Sequence, residues 1–369
     1  MLKLPGSADE FLARYWQKAP LFIPGALARL RPAVTRNELG WLATLDDVES
    51  RIVFTDTTGA RARYVAETGP FDPDYLAALP PRDWTLLVHD VEKHLPVMRR
   101  LFAHVPFIPD WRIDDLMVSF AAPGGGVGPH TDNYDVFLCQ GVGERQWHVT
   151  QEPVRDDAGA SDELALKEPF SGDTHVAREG DVVYLPPGVA HWGTATRACI
   201  TYSIGMRAPQ LSDLGGPLPD AQEDNPFYED PDLSVAESRP GYISPKAIER
   251  AAHLSGKPAT ARDVAKALGQ FVTTTKSWLC PEGANTDEIR AYLQRRLRLS
   301  VHGMARIAWD DCNVYVNGRS RPLEPGEATI IEEICRGRRV PSRAAVFRTA
   351  PALLGWMLES GAFEIPGTL

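Results

Sequence analysis

The residues of this chain best suited to chemistry are two histidines and an aspartate that follow glycine-rich and proline-rich turns. His130 and Asp132 come directly after the run from Pro123 to Pro129, and His191 follows an apolar segment and a Pro-Pro-Gly turn. Residues i and i+2 of a strand point to the same side, so His130 and Asp132 can both face a barrel interior. Two imidazoles and one carboxylate are the ligand set of non-haem Fe(II) oxygenases. The spacing therefore predicts an iron site at His130, Asp132 and His191.

The glycine run before His130 could also be interpreted as a phosphate-binding loop. However, the run contains neither Gly-x-Gly-x-x-Gly nor a Lys-Ser/Thr ending, and no helical pattern follows it. Glycines permit a tight turn and a close approach of the backbone to a ligand. The run is therefore expected to place His130 at the mouth of the barrel.

An iron site of this kind needs a cosubstrate, because Fe(II) alone cannot supply the four electrons that the reduction of O2 demands. The cosubstrate 2-oxoglutarate fits, since its oxo-acid end can chelate the metal while its far carboxylate needs a buried cation. An arginine suits that role because it can make paired hydrogen bonds to a carboxylate. Arg145 follows the Gly141-Val142-Gly143 turn and is the predicted partner, and Ser119 is a candidate hydroxyl donor.

Four further residues are expected to line the substrate opening. Asp115 and Met117 share a strand face with Ser119 by period two and should lie nearer the mouth. Tyr134, two residues after Asp132, and Ser203, on a later strand, are candidates for the same opening. A carboxylate at the mouth would favour a substrate with a cationic side chain.

Composition is compatible with an ordinary enzyme in a reducing compartment. The chain has 369 residues and 43% hydrophobic content, which is enough for more than one core. It has no run of 18 apolar residues and no apolar signal segment at its start, so no membrane association and a cytoplasmic location are expected. The cysteines number five and are scattered without Cys-x-x-Cys, which disfavours a disulfide framework or a zinc site.

Charge is unevenly distributed along the chain. The net charge is −10, but residues 261–369 carry 15 Lys+Arg against 12 Asp+Glu, whereas residues 1–260 carry 24 against 37. An overall negative charge makes general nucleic-acid binding unlikely, because phosphates attract basic surfaces. The acidic amino-terminal part suits a basic protein partner, although acidity can also serve solubility alone.

The hydrophobic pattern predicts an α+β chain with a barrel first and helices after it. Short β-type runs separated by Gly and Pro indicate an antiparallel jelly roll rather than alternating strands and helices. Residues 209–231, rich in Asp, Glu, Pro and Gly, predict a linker, and the last third combines helices with a small sheet. The predicted barrel runs are 84–90, 116–121, 134–140, 146–150, 181–185 and 198–205. The predicted helices are 9–18, 91–104, 244–255, 261–271, 286–299 and 343–359.

The run from Pro123 to Phe137, continued by Gln140-Gly141 and Arg145-Gln146-Trp147, closely resembles the bacterial ribosomal oxygenases of the JmjC class. The amino-terminal run from Phe11 to Ile23 is similar to the same family. The resemblance implies a JmjC oxygenase domain at 1–208 with a double-stranded β-helix (cupin) core at about 84–206. It further implies a linker and helical dimerisation region at 209–260 and a winged-helix-like domain at 261–369.

In that family Fe(II) is held at the positions of His130, Asp132 and His191, and 2-oxoglutarate at those of Ser119 and Arg145. The resemblance implies a homodimeric protein hydroxylase that modifies the β-carbon of an arginine in the sixteenth protein of the large ribosomal subunit. Succinate and CO2 are the expected co-products of O2 and 2-oxoglutarate. Two features depart from the family's pattern. Glu144 occupies a position where a basic residue is more usual, and residues 151–175 contain many acidic residues.

Three other functions stay open at this point. A JmjC oxygenase could act on another protein, as a histidyl hydroxylase or a lysine demethylase. A cupin without oxygenase activity could bind metal without forming succinate. A DNA-binding regulator would use the carboxy-terminal domain, but the net negative charge argues against it.

Overall fold

The described chain divides into two groups of residues with dense internal contacts. This computed structural model describes residues 1–28, 30, 33–58, 62–152, 170–214, 225–255, 260–296, 298–341 and 345–364. The first unit comprises residues 1–106, 113–206 and 231–233, and the second comprises residues 107–112, 207–230 and 234–369. Within the described ranges, no helix is both long and apolar enough to cross a membrane. The predicted boundaries near residues 208 and 260 stay a prediction.

Two antiparallel sheets form most of the first unit. Its strands are β1 (Leu21–Ile23), β2 (Ser50–Asp56), β3 (Arg63–Thr68), β4 (Trp84–Val88), β5 (Ile113–Ala121), β6 (Val136–Gln140), β7 (Glu144–Thr150), β8 (Asp173–Arg178), β9 (Val182–Leu185), β10 (Ala190–Arg197) and β11 (Cys199–Met206). The larger sheet has the order β1-β9-β6-β11-β5-β4-β2-β3, and the smaller has the order β10-β7-β8. Every pair within these sheets is antiparallel.

The interior of the first unit lies between the two sheets. On β7, buried residues alternate with partly exposed ones, as expected for a strand with one face turned inward. A shared core joins the inward faces of both sheets: Val136, Leu138, Val183 and Leu185 from the larger, with Trp147, Val149 and Ala177 from the smaller. The predicted antiparallel jelly roll is therefore confirmed.

Among the described residues, four short α-helices precede or connect the strands of the larger sheet. They are α1 (Ala8–Arg14), α2 (Arg36–Leu42), α3 (Pro73–Ala77) and α4 (Val91–His94), and a 3-10 helix follows at Pro96–His104. Capping boxes start α1 at Ser7 and α2 at Thr35. Phe11 of α1 lies against Phe137 and Tyr184, on the face of the larger sheet that points away from the interior.

The second unit combines helices with a small antiparallel sheet. Its elements are α5 (Pro245–Ser255), α6 (Ala261–Thr273), α7 (Thr286–Arg295), β12 (Ile307–Trp309), β13 (Asn313–Val316), β14 (Arg319–Pro322), α8 (Glu327–Gly337), α9 (Val346–Thr349) and α10 (Pro351–Glu359). Residues from α7, α8 and α10 share a buried core with Val314 and Val316 of β13. Two isolated bridges, between Ser300 and Arg339 and between Val301 and Phe363, run beside this core.

Proline explains two places where the helix predictions were wrong. The helix predicted at 91–104 breaks at Leu95, which has φ −120° and ψ 83°, and continues as a 3-10 helix from Pro96. The helix predicted at 343–359 breaks at Ala350, just before Pro351, and its residues 343 and 344 lie outside the described residues. A residue before proline is pushed towards extended geometry, so each helix stops there.

Candidate metal centre

The three predicted ligands come together inside the first unit. One ligand atom from each of His130, Asp132 and His191 lies within 4.8 Å of the other two. Nε2 of His130 is 4.0 Å from Oδ1 of Asp132, and Nε2 of His191 is 3.7 Å from Oδ2 of Asp132. These separations fit three donor atoms placed about 2 Å from one shared ion.

Strand geometry is not what places the first two ligands, and the expectation that they lie on a strand was wrong. His130 and Asp132 lie in an irregular segment between β5 and β6. His130 makes a single bridge to His191, in which each backbone N–H donates to the other carbonyl, at 3.0 and 2.9 Å. The carbonyl of Asp132 accepts a 2.8 Å hydrogen bond from the N–H of Gly188 in the Pro-Pro-Gly turn. His191 is the second residue of β10, directly after the Pro-Pro-Gly turn.

Backbone carbonyls orient both histidine rings. Nδ1 of His130 lies 3.0 Å from the Gly128 carbonyl, and Nδ1 of His191 lies 3.0 Å from the Val189 carbonyl. A carbonyl only accepts hydrogen bonds, so Nδ1 donates in each contact and Nε2 is the nitrogen left to face Asp132. Burial lowers the pKa of His191 well below its usual value, and the nearby His130 lowers that pKa further. His191 therefore presents a neutral nitrogen to Asp132, as metal ligation requires.

Asp132 is the carboxylate of this group. Burial raises its pKa, while the charges of His130 and Arg51 and a hydrogen bond from Tyr134 lower it. Arg51 lies on β2 opposite Leu87, which lies opposite Ser119. A bound cation would favour the ionised carboxylate more strongly than these neighbours do.

Arg145 points into the same interior, further along the smaller sheet. Arg145 pairs with Ala195, and His191 pairs with Val149. The two pairs are four residues apart along each strand, or about 13 Å. Between them, Gly193 faces Trp147, and a Cβ on Gly193 would lie 2.7 Å from that ring. The guanidinium of Arg145 sits 5.5 Å from the Trp147 ring centre.

The side chain of Arg145 is placed to bind an anionic ligand. It is 4% exposed, yet its Nε and Nη2 have no hydrogen-bond partner among the residues that the structure describes. A buried guanidinium without partners is costly, and a carboxylate can satisfy two of its donors at once. The donor set thus fits the far carboxylate of a small dicarboxylic acid.

Ser119 lies on the inward face of the opposite sheet. It pairs with Thr201 on β11 and with Leu87 on β4, and it is 3% exposed. Two residues before it, Met117 pairs with Ser203, and Ser203 pairs with Leu138 of the interior core. Alternation along β5 therefore puts Ser119 on the interior side.

The four predicted substrate-lining residues share one end of this interior. Met117 and Ser203 are direct partners across β5 and β11. Asp115 and Tyr134 both lie beside Gly205, since a Cβ there would be 3.2 Å from Oδ1 of Asp115 and 3.9 Å from the Tyr134 ring. The structure brings the four together, and their roles stay predictions.

Sequence reasoning missed the residues that hold Asp115. Its Oδ2 lies 3.2 Å from Nδ1 of His89 and accepts a 3.3 Å hydrogen bond from the N–H of Asp90. The N–H of Leu116, the next residue, donates to the buried carboxyl of Glu92 at 3.0 Å. These residues follow β4, which pairs with β5. The charged run directly after a buried strand was the available signal.

The structure describes one of the two features that depart from the family's pattern, Glu144, and only the ends of the other, the acidic stretch at 151–175. Glu144 accepts a 2.8 Å hydrogen bond from the Thr196 hydroxyl and lies 2.9 Å from Nε of Arg178. The hydrogen bond from Thr196 lowers the pKa of Glu144. Glu144 therefore has local partners on the smaller sheet. Most of the acid-rich stretch at 151–175 lies outside the described residues.

Comparisons with known sequences agree with this geometry. The family model of the JmjC domain matches residues 100–214. The chain is 31% identical to the ribosomal protein uL16 3-hydroxylase of Escherichia coli (strain K12) over 320 residues, which are 84% of this chain and 84% of that protein. It is 35% identical to a probable ribosomal oxygenase of Haemophilus influenzae over 242 residues, which are 62% of this chain and 55% of that protein.

Solved structures of the E. coli ribosomal oxygenase YcfD match along the full length. The complex with cobalt and 2-oxoglutarate has a TM-score of 0.73 and 26% identity, and the match covers 100% of both chains. The complex with cobalt and succinic acid has a TM-score of 0.71 over the same coverage. The similarity therefore extends beyond the JmjC region to the second unit.

Proposed function

Because this chain belongs to the family of JmjC-domain ribosomal oxygenases, we propose that it is an Fe(II)- and 2-oxoglutarate-dependent protein hydroxylase. The observation that carries the proposal is the pairing of two features in one interior. These are a His-Asp-His group with both Nε2 atoms facing the carboxylate and a buried arginine whose Nε and Nη2 lack partners among the described residues. The first fits a metal, and the second fits the far end of the cosubstrate.

His130, Asp132 and His191 would hold the Fe(II) with Nε2, a carboxylate oxygen and Nε2. When bound, Fe(II) supplies the activation of O2 that is coupled to decarboxylation of 2-oxoglutarate to succinate and CO2, and one oxygen atom passes to a substrate C–H bond. The carbonyls of Gly128 and Val189 hold the imidazoles in the ligating tautomer. The protein thus keeps its ligand atoms oriented before any metal binds.

Arg145 would bind the far carboxylate of 2-oxoglutarate through Nε and Nη2. Trp147 lies beside the guanidinium and fills the interior towards His191, which excludes water from the ion pair. Exclusion of water strengthens the attraction between guanidinium and carboxylate. Ser119 would donate its hydroxyl to the same carboxylate from the opposite sheet.

The substrate proposed for this site is an arginine of ribosomal protein uL16, hydroxylated at its β-carbon. Support comes from the similarity to the E. coli relative, the ribosomal protein uL16 3-hydroxylase. Asp115 would pair with the guanidinium of the substrate, while Met117, Tyr134 and Ser203 would line its path. His89 and the N–H of Asp90 already hold the Asp115 carboxylate at this opening. A ribosomal substrate also places the enzyme in the cytoplasm.

The remaining parts of the chain are proposed to serve assembly. Helices α7, α8 and α10 with the bridged segments near Ser300 and Val301 would form a winged-helix-like domain. Helix α10, Pro351–Glu359, contains neither Lys nor Arg, so this helix is poorly suited to contact DNA phosphates. We therefore propose protein contacts or a structural role for this domain, and homodimer formation through residues 209–260.

Mapping of the modified residue tests the substrate proposal. The purified chain would be incubated with Fe(II), 2-oxoglutarate, O2 and uL16, and the product would be digested and sequenced by tandem mass spectrometry. One added oxygen on an arginine side chain is the expected result. The Asp115→Asn variant should reduce the rate of this hydroxylation more at low than at saturating concentrations of uL16. Oxygen on a histidine, or loss of a methyl group from lysine, would instead identify a JmjC enzyme with another target.

A further inference from the structure

A buried cluster of polar side chains lies behind the candidate metal centre. Oδ1 of Asp135 accepts a 2.5 Å hydrogen bond from the Tyr184 hydroxyl, and Oδ2 accepts a 2.9 Å hydrogen bond from Nε2 of Gln17. The Tyr184 oxygen also accepts a 2.8 Å hydrogen bond from the N–H of Gln17. Asp135 and Tyr184 are each 0% exposed. We refer to Asp135, Tyr184 and Gln17 as the clasp.

We infer that the clasp holds the two ligand-bearing segments together, so that Asp135 and Tyr184 are positioning residues for metal binding. Asp135 lies three residues after Asp132. Tyr184 lies on β9, which leads into the turn before His191. Their hydrogen bond ties the segment that carries one ligand to the strand that leads to another. The inference rests on the proposed function, because it takes His130, Asp132 and His191 as metal ligands.

The clasp matters because the segment around Asp132 lies outside any strand ladder. Earlier in the same segment, Gly124 and Gly125 exchange backbone hydrogen bonds with Ala195 of β10, and His130 forms its bridge with His191. Backbone N–H groups of Gly188 and Met206 donate to the carbonyls of Asp132 and Asp135, at 2.8 and 2.9 Å. A segment without a strand ladder opens locally at low cost, so each added bond has a large effect on its order. The clasp adds side-chain hydrogen bonds to this segment three residues after Asp132.

The amino-terminal segment supplies the third member of the clasp. Gln17 has φ +53°, a left-handed conformation that turns its N–H to Tyr184 while its side chain reaches Asp135. Phe11 and Trp16 pack on the Tyr184 ring, with ring centres 5.0 and 6.0 Å away. The run from Phe11 to Ile23 therefore supports the metal centre from outside the barrel, a role that its residue types alone do not reveal.

Removal of the Tyr184 hydroxyl should loosen the metal centre without emptying the core. The ring stays packed, but the buried Oδ1 of Asp135 and the part-buried N–H of Gln17 each lose a partner. Such losses cost on the order of 1–3 kcal/mol, and the segment can regain solvent only by moving. Changes to groups that orient ligands typically weaken metal affinity by about 10-fold to 100-fold.

The test compares two buried tyrosines whose hydroxyls have different hydrogen-bond partners. Tyr184→Phe is the test variant, and Tyr202→Phe is the control, since the buried Tyr202 hydroxyl accepts a 2.8 Å hydrogen bond from the N–H of Val34 instead. Co(II) alone would be titrated into each metal-free protein by calorimetry, well below the unfolding temperature. Tyr184→Phe should bind Co(II) about 10-fold more weakly than wild type. Tyr202→Phe should lose similar stability but keep wild-type affinity.

Equal Co(II) affinity in Tyr184→Phe and wild type would overturn the inference and leave the proposed function intact. A similar loss in both tyrosine variants would also overturn it, because general loosening would then explain the effect. Asp135→Asn provides a second variant if Tyr184→Phe does not fold, and it should show the same selective weakening. If wild type and His130→Ala bind Co(II) equally, the proposed metal site itself is wrong.

Discussion

His130, Asp132, His191 and Arg145 have their chemistry set by their immediate neighbours. Two backbone carbonyls decide which imidazole nitrogen is available, and burial keeps His191 neutral by lowering its pKa. Burial also keeps Arg145 away from water while two of its nitrogens lack described partners. The sequence could identify these residue types and their spacing. It could not identify Gly128, Val189 or Trp147 as the groups that orient them, since those contacts depend on which strands meet.

Arg145→Met should separate ligand binding from stability. Nε and Nη2 of Arg145 lack partners in the described part of the chain, so removing this buried charge should leave the ligand-free protein as stable as wild type or more stable. Affinity for 2-oxoglutarate should fall by about 100-fold, since a charge-assisted pair is lost. Thermal unfolding and calorimetric titration would measure the two effects. Arg178→Met, an exposed control at 68% exposure, should change neither. Unchanged 2-oxoglutarate affinity in Arg145→Met would remove Arg145 from the site.

Glu92 should make stability depend on pH. Burial raises its pKa from 4.5 to about 7, so the folded protein holds a proton that the unfolded chain has already released at pH 6. The contribution is therefore fully present below the unfolded pKa and is lost as the pH rises through the folded pKa. Glu92→Gln should remove a decline of a few kcal/mol between about pH 4.5 and pH 7 in urea unfolding. Glu38→Gln, at an exposed cap, should leave that decline in place; an unchanged decline in Glu92→Gln would contradict this assignment.

At the scale of elements, the ligands depend on two turns rather than on regular strands. The turn containing Gly128 leads to His130, and the turn containing Gly188 leads to His191. The prediction that His130 and Asp132 share one face of a strand placed the correct residues together for the wrong reason. The segment around Asp132 is not part of a ladder of paired strands. Strand pairing depends on partners distant in the chain, so a local pattern could not distinguish a ladder from a single bridge.

Alanine at the two glycines should separate backbone strain from steric overlap. Gly128 has φ +87° and Gly188 has φ +74°, so both changes cost about 1–2 kcal/mol from conformation alone. A Cβ at Gly128 would lie 2.7 Å from the Tyr64 ring, whereas nothing lies within 4 Å of a Cβ at Gly188. Gly128→Ala should therefore be less stable than Gly188→Ala by a further 1–3 kcal/mol or so in urea unfolding. Equal losses would mean that the Tyr64 ring moves aside freely.

At the scale of the whole molecule, the barrel was far more predictable than the second unit. Gly and Pro between short apolar runs, together with the Pro123 to Phe137 motif, indicated the jelly roll and its metal site. In the second unit, β12, β14 and α8 were not predicted. β14 has no apolar run, and the short apolar runs of β12 and α8 gain meaning only from packing beside β13. The two smaller-sheet strands β8 and β10 were missed for a similar reason, since polar and small residues fill one face of each.

The proposed dimer gives a direct prediction of mass. Light scattering during size-exclusion chromatography should report about twice the 40.6 kDa of one chain. The mass should not depend on metal or 2-oxoglutarate, because residues 209–260 lie outside the barrel core predicted at about 84–206. A single-chain mass at micromolar concentration would rule out a stable homodimer.

The most direct test of the central claim is reconstitution of the reaction from its parts. The metal-free chain would be loaded with Fe(II) and 2-oxoglutarate without oxygen, mixed with uL16 and then exposed to air, while succinate and the intact mass of uL16 are measured. The account predicts succinate together with the mass of one added oxygen atom, dependent on both additions and abolished in folded Asp132→Ala. Neither signal in protein shown to bind Fe(II) would contradict the account and favour a cupin without oxygenase activity.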